Sequence, residues 1–431
     1  MKKAFQLTAL EKHWILYDIG NSAFVLLIAT LLPIYFNSLA QAGGLSESDY
    51  LAYWGYAASI VTVIVAILGP ICGTLADQSG TKKALFLGTM LIGAVGCAAL
   101  GAAWSWLAFL VIFILAKVGY SSSLVFYDSM LTEVTAPQRM DTVSSLGYAY
   151  GYIGSVIPFV ICLVVVLGYE FIGITQSTAM IIAFLITALW WIGCSLPLAK
   201  SYRQTAISGN RTGHPIADTF RQLLRTVRDA KKEKHIFLYL LAFFFFIDGV
   251  YTIIDMATAY GTALGLDTTG LLLALLVTQV VAFPCSIVFG RLSAKYDTAK
   301  LIKISIAAYT GITVFAMFLN FQWQFWVLAV LVGMFQGGIQ ALSRSYLGKI
   351  IPAERSGEYY GLMDICGKGA SFVGTTLVAV VSQATDGITL SLFGATIHNE
   401  GIAVGTLVIL FAIGFVLFCM ADKLTKARVA V

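Results

Sequence analysis

The chain of 431 residues is 59% hydrophobic and only 11% charged, and its mean hydropathy is +0.85. This composition is too apolar and too poor in charge for a soluble enzyme, so it indicates a polytopic membrane protein. The formal net charge of +5 does not indicate nucleic-acid binding, because most cations lie in short loops between apolar runs.

Apolar segments of about 20 residues or more, the length that a helix needs to cross a bilayer, recur along the chain. The first six span residues 13–39, 50–76, 83–104, 106–133, 141–168 and 178–199. The second six span residues 236–264, 269–294, 300–320, 323–350, 357–384 and 400–421. The sequence therefore predicts an all-α integral membrane protein with twelve transmembrane helices, numbered one to twelve in chain order.

One long polar connection, residues 200–234, separates an N-terminal part, residues 1–199, from a C-terminal part, residues 235–431. Between Phe220 and Lys231, apolar residues recur on one face of a helix and Lys and Arg on the other. This pattern predicts an amphipathic basic helix on the inner membrane surface. A plain tether is the favoured interpretation, and a regulatory or lipid-sensing role is the alternative.

The positions of Lys and Arg predict the orientation in the membrane. Of the 27 basic residues, 24 lie in the termini and in the loops on the same side as the termini. The other three, Lys117, Arg344 and Lys368, lie within helices, so the opposite loops carry acids such as Glu170 and no cation. Because basic residues resist translocation, both termini are predicted to be cytoplasmic. In a prokaryote the protein would lie in the plasma (inner) membrane.

Cofactor and metal sites find no support in the sequence. All seven Cys lie inside or at the ends of apolar segments without CxxC spacing, which predicts small core residues and no disulfide or zinc site. The four His are scattered, and the chain has no G-x-x-x-x-G-K-[ST] motif of an ATPase. No nucleophile and base pair indicates an enzyme, so we predict no metal, no cofactor and no catalysis.

A polar stretch, G-T-L-A-D-Q-S-G-T-K-K at residues 73–83, joins helices two and three. Gly73 allows one helix end to pack closely on its neighbour, and Gly80 supplies a turn. Asp77 can cap a helix N-terminus or pair with a cation. Lys82 and Lys83 are predicted to keep the loop in the cytoplasm.

A degraded copy of this stretch follows 217 residues later, where Gly290 is in register with Gly73 and Ala294 replaces Asp77. The first stretch resembles the loop signature of the major facilitator superfamily. The resemblance implies two pseudo-symmetric six-helix bundles, related by an internal repeat of half the chain.

Ionisable side chains within the bilayer are costly, so they mark candidate sites. In helix one, Asp18, Asn21 and Ser22 share a face by the helical period, and Asp18 either anchors a helix end or takes part in ion coupling. In helix four, Lys117 lies near the middle of the helix. Tyr120, Tyr127 and Asp128 follow it on adjacent faces of the same helix. Lys117 serves either a substrate or a structural ion pair.

Three later helices carry further candidates. Helix seven offers Asp248, Tyr251 and Asp255, and either carboxylate could carry a proton or neutralise Lys117. In helix ten, Gln336, Gln340 and Arg344 follow at steps of four residues, and the Arg344 fork suits a carboxylate on a substrate or on a neighbouring helix. In helix eleven, Asp364 and Lys368 are four residues apart and are expected to neutralise each other.

Four stretches resemble the autophagy-linked vacuolar amino-acid effluxer branch and its prokaryotic relatives. They are Trp14–Ser22, Phe126–Gly154, Gln336–Ser345 and Glu358–Gly369. One departure is Asp128, where that branch often has Asn, which adds a charge near the cytoplasmic gate. The resemblance implies a secondary transporter of neutral amino acids or a related small zwitterion.

The predicted function is therefore secondary transport by alternating access around a cavity between helices one, four, seven and ten. Coupling of transport to a proton is left open. The candidate gating residues are Gly73, Asp77, Gly80, Lys82, Lys83, Gly290 and Asp128. The expected partners are a small-molecule substrate, a proton and the lipid bilayer, with no nucleic acid, and we expect a monomer. The alternatives are a proton-coupled exporter of drugs or organic anions and a non-transporting receptor or scaffold.

The predicted orientation can be tested by labelling from outside the cell. We expect Cys introduced at Ser46 or Thr389, in a background without native Cys, to react with an impermeant thiol reagent, because the flanking loops lack cations. Cys introduced at Ser208 should not react. The reverse pattern of labelling would contradict the orientation.

Overall fold

A computed structural model of the protein describes residues 6–78, 80–207, 233–385, 387–392 and 395–429. The amphipathic helix predicted between Phe220 and Lys231 lies outside the described residues.

Six long helices occupy each half of the chain. The first six are α1 (Ala9–Ala42), α2 (Glu47–Ala76), α3 (Thr81–Ala99), α4 (Trp106–Ser129), α5 (Met140–Leu167) and α6 (Gln176–Ser201). The second six are α7 (Lys234–Ala263), α8 (Thr268–Leu292), α9 (Thr298–Met317), α10 (Gln322–Ile350), α11 (Ser356–Ala384) and α12 (Leu407–Val429). Shorter helical pieces lie at Leu100–Ala102, Leu131–Val134, Tyr169–Ile172, Ala353–Arg355 and Asn399–Gly405.

Within the described part of the chain, twelve helical spans are long and apolar enough to cross a membrane. The predicted number of transmembrane helices is therefore confirmed, and each span overlaps the apolar segment that predicted it. The main difference is at the ends, where several helices continue beyond the apolar run. For example, α1 begins at Ala9, four residues before the predicted start at residue 13.

Local capping explains these extended ends. Before α1, the backbone N–H of Thr8 donates to the Glu11 carboxylate at 2.8 Å, and the Glu11 N–H donates to the Thr8 hydroxyl at 3.2 Å. Such a capping box satisfies backbone donors that the helix itself cannot pair. At the start of α8, the Asp267 carboxylate likewise accepts the Gly270 N–H at 2.7 Å. Polar caps thus begin helices outside the apolar segments.

A two-stranded antiparallel sheet was not predicted. Strand β1 (Leu390–Leu392) pairs with β2 (Ala395–Ile397), with Leu390 opposite Ile397. The hairpin lies in the connection between α11 and α12, before the short helix Asn399–Gly405. Strands of three residues are too short to show a clear alternation of apolar and polar side chains, so sequence patterns give little signal here.

The chain forms two compact units that do not follow a single cut in the sequence. Described residues within 1–136, 150–219 and 353–361 form the first unit. Those within 137–149, 220–352 and 362–431 form the second. The first turns of α11 therefore belong to the first unit, and the first turns of α5 to the second. The boundaries predicted at residues 199 and 235 stay a prediction.

Small residues allow close helix packing inside each unit. In the first unit, a Cβ atom placed on Gly119 of α4 would lie 2.6 Å from the backbone N of Gly93 in α3. In the second unit, a Cβ on Gly333 of α10 would lie 2.8 Å from the Thr278 carbonyl oxygen of α8. Such approaches are typical of helices in membranes, where packing and not the hydrophobic effect holds helices together.

Candidate functional site

The loop between α2 and α3 folds as its glycines predict. The α2 helix ends at Ala76, and Gly80 has a φ of +73°, in the left-handed region that favours glycine. This conformation turns the chain directly into α3, which begins at Thr81. The turn predicted at Gly80 is confirmed.

Asp77 caps the N-terminus of α11. Its carboxylate accepts the backbone N–H groups of Gly357 and Glu358 at 2.8 and 2.9 Å, and the residue is 1% exposed. These N–H groups lie in the first turn of α11, where a helix has no internal partners for them and where its dipole favours a negative charge. The capping that the sequence predicts for Asp77 is thus present, across 280 residues of chain.

Gly73 and Gly357 permit this cap by bringing two backbones together. A Cβ atom on Gly73 would lie 2.2 Å from the Gly357 carbonyl oxygen, and a Cβ on Gly357 would lie 2.2 Å from that of Gly73. No side chain can occupy either position without moving a backbone. The close approach predicted for Gly73 is therefore confirmed, and it places the start of α11 beside Asp77.

Lys82 is a buried cation next to the cap, a contact that the sequence did not predict; its role in keeping the loop in the cytoplasm stays a prediction. The residue is 0% exposed, and its Nζ donates to Glu133 Oε1 at 2.7 Å and to Ser356 Oγ at 3.1 Å. The Asp77 Oδ1 atom lies 3.8 Å from the same Nζ. A buried charge needs such partners, so Lys82 holds two acids of one cluster together. Lys83 is only partly exposed.

The pKa of Asp77 follows from these surroundings. Burial raises the pKa of Asp77 from 3.8 to about 7, while Lys82 and the two N–H groups of α11 oppose part of that rise. The other titratable groups of the cluster are Glu133, Glu358 and Tyr202, the last of which donates to Glu133. Asp77 is therefore poised to change its charge near neutral pH.

Gly290, in the second copy of the loop, packs on α5 in the way that Gly73 packs on α11. A Cβ on Gly290 would lie 2.9 Å from the Ser145 Cβ, and the Thr142 hydroxyl donates to the Gly290 carbonyl at 3.1 Å. Ser145 and Thr142 are in register with Leu362 and Tyr359, so the second contact lies on the equivalent helix but not at the residue equivalent to Gly357.

The acid missing at Ala294 is replaced by Asp141 on the facing helix, a residue that the sequence did not single out. The Asp141 carboxylate accepts from the Thr298 and Ser345 hydroxyls at 2.6 Å each and from Lys349 Nζ at 2.5 Å. Asp141 is in register with Glu358. The second cluster thus has its acid at the start of α5 and not on the loop.

Arg344 contacts the start of α5 in this structure. Its Nε donates to the Ser144 hydroxyl at 2.9 Å and one terminal nitrogen donates to the Ser144 carbonyl at 3.1 Å. The guanidinium carbon lies 4.4 Å from the centre of the Tyr148 ring, a cation–π contact. Arg344 is 3% exposed. Two other candidates lie on the same face of α10 as Arg344. Gln336 is buried and Gln340 is partly exposed.

The stretch Trp14–Ser22 of α1 packs against α4. The Trp14 indole N–H donates to the Tyr127 carbonyl at 3.0 Å, and the two rings stack at 4.4 Å. The Tyr17 hydroxyl lies 2.6 Å from Ser123 Oγ. Tyr127, predicted as a binding residue, is therefore part of an aromatic core in this structure.

Asp18 and Asn21 meet on one face of α1, as their spacing predicts. The Asn21 amide donates to Asp18 Oδ1 at 3.5 Å, and both residues are buried. The neighbouring Ser22 Oγ lies 2.8 Å from the position of a Cβ on Gly151 of α5, so this face is packed tightly.

The charged residues of α4 and α7 lie in different surroundings. Lys117 Nζ is 5.3 Å from the centre of the Tyr120 ring, and Asp128 is partly buried. Asp248 is 0% exposed, and its Oδ1 accepts the Gly374 N–H at 2.9 Å and the Thr252 hydroxyl at 3.3 Å.

Asp255 is exposed although its spacing puts it on the same face of α7 as Asp248, and Tyr251 between them is partly exposed. In α11, Asp364 and Lys368 form the predicted ion pair. The structure thus brings together Asp18 with Asn21, Lys117 with Tyr120, and Asp77 with Lys82. The binding roles of the candidates remain predictions.

The chain has twelve helices that can span a membrane, and the loop between α2 and α3 carries an acid that caps α11. These features are those of a membrane transporter of the major facilitator type. Within that class the chain belongs to the family described as "Vacuole effluxer Atg22 like", whose model matches residues 132–430. Both resemblances drawn from the sequence are therefore confirmed.

Two relatives and one solved structure illustrate the similarity. An uncharacterized MFS-type transporter, YxiO of Bacillus subtilis, is 39% identical over 435 residues, which cover 100% of this chain and 98% of the relative. Autophagy-related protein 22-1 of Aspergillus fumigatus is 26% identical over 58% of this chain and 46% of its own length. The crystal structure of the human organic anion transporter MFSD10 shares the fold, with a TM-score of 0.72 and 14% identity over 95% of this chain and 98% of that one.

The contact between Gly73 and Gly357 makes a steric prediction. We expect Gly73→Ala to destabilise the protein by about 1–3 kcal/mol, because the new methyl group would overlap the Gly357 carbonyl and force two backbones apart. Gly88→Ala is the matched control, since a Cβ at Gly88 meets no atom within 4 Å. Thermal unfolding of the purified variants measures the effect. Equal melting temperatures for the two variants would contradict the prediction.

The pKa of Asp77 makes a pH prediction. The capped state has a pKa of about 7 and an Asp in water has one near 3.8, so between these values the capped state binds more protons. Stability from this group is fully present below the lower value and is lost as pH rises through about 7. The melting temperature of wild type relative to Asp77→Asn should therefore fall as pH rises from about 5 to about 7 and level off above that. A difference that is constant with pH would show that the Asp77 pKa is not raised.

Proposed function

We propose that the chain transports neutral amino acids or a related small zwitterion by alternating access. The observation that carries this proposal is membership of the Atg22-like effluxer family over residues 132–430. Charged and polar side chains inside the spans support it, because such groups are costly in a bilayer unless they serve a substrate, an ion or a partner.

The proposed cycle uses the two clusters at the loops as cytoplasmic latches. Asp77 with α11, and Asp141 with α9 and α10, each join a segment from one half of the chain to residues of the other half. We place both latches on the cytoplasmic side because of the distribution of Lys and Arg. Breaking them opens the cytoplasmic side, and their differential stability in the two states then sets the conformational equilibrium.

The proposed binding groups follow from charge. An amino acid presents a carboxylate and an ammonium group, so it requires a cation and an acid or aromatic ring in the site. In the proposed binding site, Arg344 and Lys117 are the cations for the substrate carboxylate. Asp18, Asp248 and Asp255 are the candidates for the ammonium partner and for a coupled proton.

Substrate identity is tested by transport into proteoliposomes. We expect radiolabelled neutral amino acids to be taken up or released by the reconstituted protein, with Asp77→Asn slowing the exchange. Competition with zwitterions but not with organic anions or lipophilic cations supports the proposal. Competition only with organic anions or lipophilic cations would replace it by the exporter hypothesis.

The role of Arg344 is tested with the substrate so identified. Loss of a charged partner of a bound carboxylate typically costs about 2–5 kcal/mol, or roughly thirty-fold or more in affinity. We expect Arg344→Gln to weaken binding on that scale in calorimetry, and Arg344→Lys to restore only part of it because the planar fork is lost.

Two controls separate binding from structure. Ser144→Ala removes the hydroxyl that Arg344 contacts but keeps the guanidinium, so it should leave the affinity nearly unchanged. Lys423→Gln removes an exposed cation near the end of α12 and should also be neutral. An Arg344→Gln affinity within about two-fold of wild type, or an equal loss in Ser144→Ala, would assign Arg344 a structural role.

A further inference from the structure

The chain that follows α6 is attached to the Asp77 cluster. Residues Tyr202–Ala206, here called the strap, leave the helix after Ser201 and converge on one carboxylate, that of Glu133. The Tyr202 hydroxyl donates to Glu133 Oε1 at 2.9 Å. The backbone N–H groups of Thr205 and Ala206 donate to Oε2 at 2.6 and 3.1 Å, and the Thr205 hydroxyl does so at 3.2 Å.

The strap also bridges the two ends of the loop between α2 and α3. The Gln204 side-chain amide donates to the carbonyl of Ala76, the last residue of α2, at 2.8 Å. The oxygen of the same amide accepts the backbone N–H of Lys82, in the first turn of α3, at 3.2 Å. One side chain thus contacts both boundaries of the loop that carries Asp77.

Burial anchors the strap at its first residue, whereas Arg203 and Thr205 are exposed. Tyr202 is 1% exposed, and burial together with the neighbouring Glu133 raises the pKa of its hydroxyl. Ordering a segment of chain costs conformational entropy for every residue. The hydrogen bonds of the strap to Glu133 and through Gln204 therefore offset the entropy cost of ordering it.

Glu133 and Asp77 bind backbone N–H groups in the same way and share one cation, Lys82. Asp77 accepts two consecutive backbone N–H groups, those of residues 357 and 358, and Glu133 accepts two others, those of residues 205 and 206. Lys82 Nζ lies 2.7 Å from Glu133 and 3.8 Å from Asp77. Because Lys82 is fully buried, its position depends on both acids.

We propose that the strap is a coupling element, which through Glu133 and Lys82 stabilises the Asp77 cap on α11. The strap and the cap are then linked equilibria, so release of one weakens the other. This inference concerns the conformational equilibrium of the protein and does not depend on the identity of the substrate. The strap is also the described start of the connection between the two halves of the chain, so this part of the connection acts on the proposed latch.

Amide hydrogen exchange measured by mass spectrometry tests the coupling without any substrate. Thr205→Pro removes one N–H and the hydroxyl that Glu133 accepts, while Thr205→Ser keeps both. We expect Thr205→Pro to accelerate exchange not only in the strap but also at residues 357 and 358, by about ten-fold, and Thr205→Ser to change neither. Acceleration confined to the strap would overturn the proposal.

Linkage requires the effect to be reciprocal. Asp77→Asn alters the cap and leaves every strap contact in place, so it should accelerate exchange at Thr205 and Ala206 by the factor that Thr205→Pro produces at residues 357 and 358. Unchanged strap exchange in Asp77→Asn would refute the coupling. Gln204→Ala provides a milder second variant if Thr205→Pro does not fold. Residues 239–247 of α7, in the second unit, serve as the reference peptide and should exchange as in wild type in every variant.

Discussion

The contacts that the loop between α2 and α3 makes with α11 and with the strap are built around one buried cation. Lys82 has no exposed surface and lies between the carboxylates of Glu133 and Asp77, with the Ser356 hydroxyl as a third partner. A lysine ammonium cannot be buried without such compensation, so the short helical turn that carries Glu133 and the loop that carries Asp77 must both be in place. Asp77 in turn holds the first turn of α11, and Glu133 holds the strap. Four separate stretches of chain therefore meet around a single charge.

The repeat shows how a fold of two similar halves can differ in its chemistry. Gly73 and Gly290 each allow a helix end to approach the first turn of another helix, α11 and α5 respectively. The acid stands on the loop in the first case and on the facing helix, at Asp141, in the second. Both halves bring a glycine against an early turn of another helix, while the position of the acid and the identity of its hydrogen-bond donors differ.

Sequence patterns predicted those features that depend on residues close together in the chain. The twelve helices follow from apolar length, the turn at Gly80 from its residue type, and the ion pair of Asp364 with Lys368 from a spacing of four. Glu133 gave no signal, because it is the last residue of the predicted segment 106–133 and its partners lie 51 and 69 or more residues away. Asp141 was hidden for the same reason. Burial could not be foreseen either, so Asp248 and Asp255 looked alike in sequence although only Asp248 is enclosed.

The two clusters that we propose as latches also differ in how substitutions affect them. The partners of Asp77 on α11 are backbone N–H groups, which every residue except proline supplies, so substitutions along α11 other than at Gly357 leave the donors themselves unaltered. The partners of Asp141 are the side chains of Thr298, Ser345 and Lys349, each of which a single nucleotide change can remove or replace. Selection can therefore adjust the strength of the second latch in small steps, whereas the first is an all-or-nothing contact. Differences in transport kinetics among related proteins should accordingly accumulate at the α5, α9 and α10 contact.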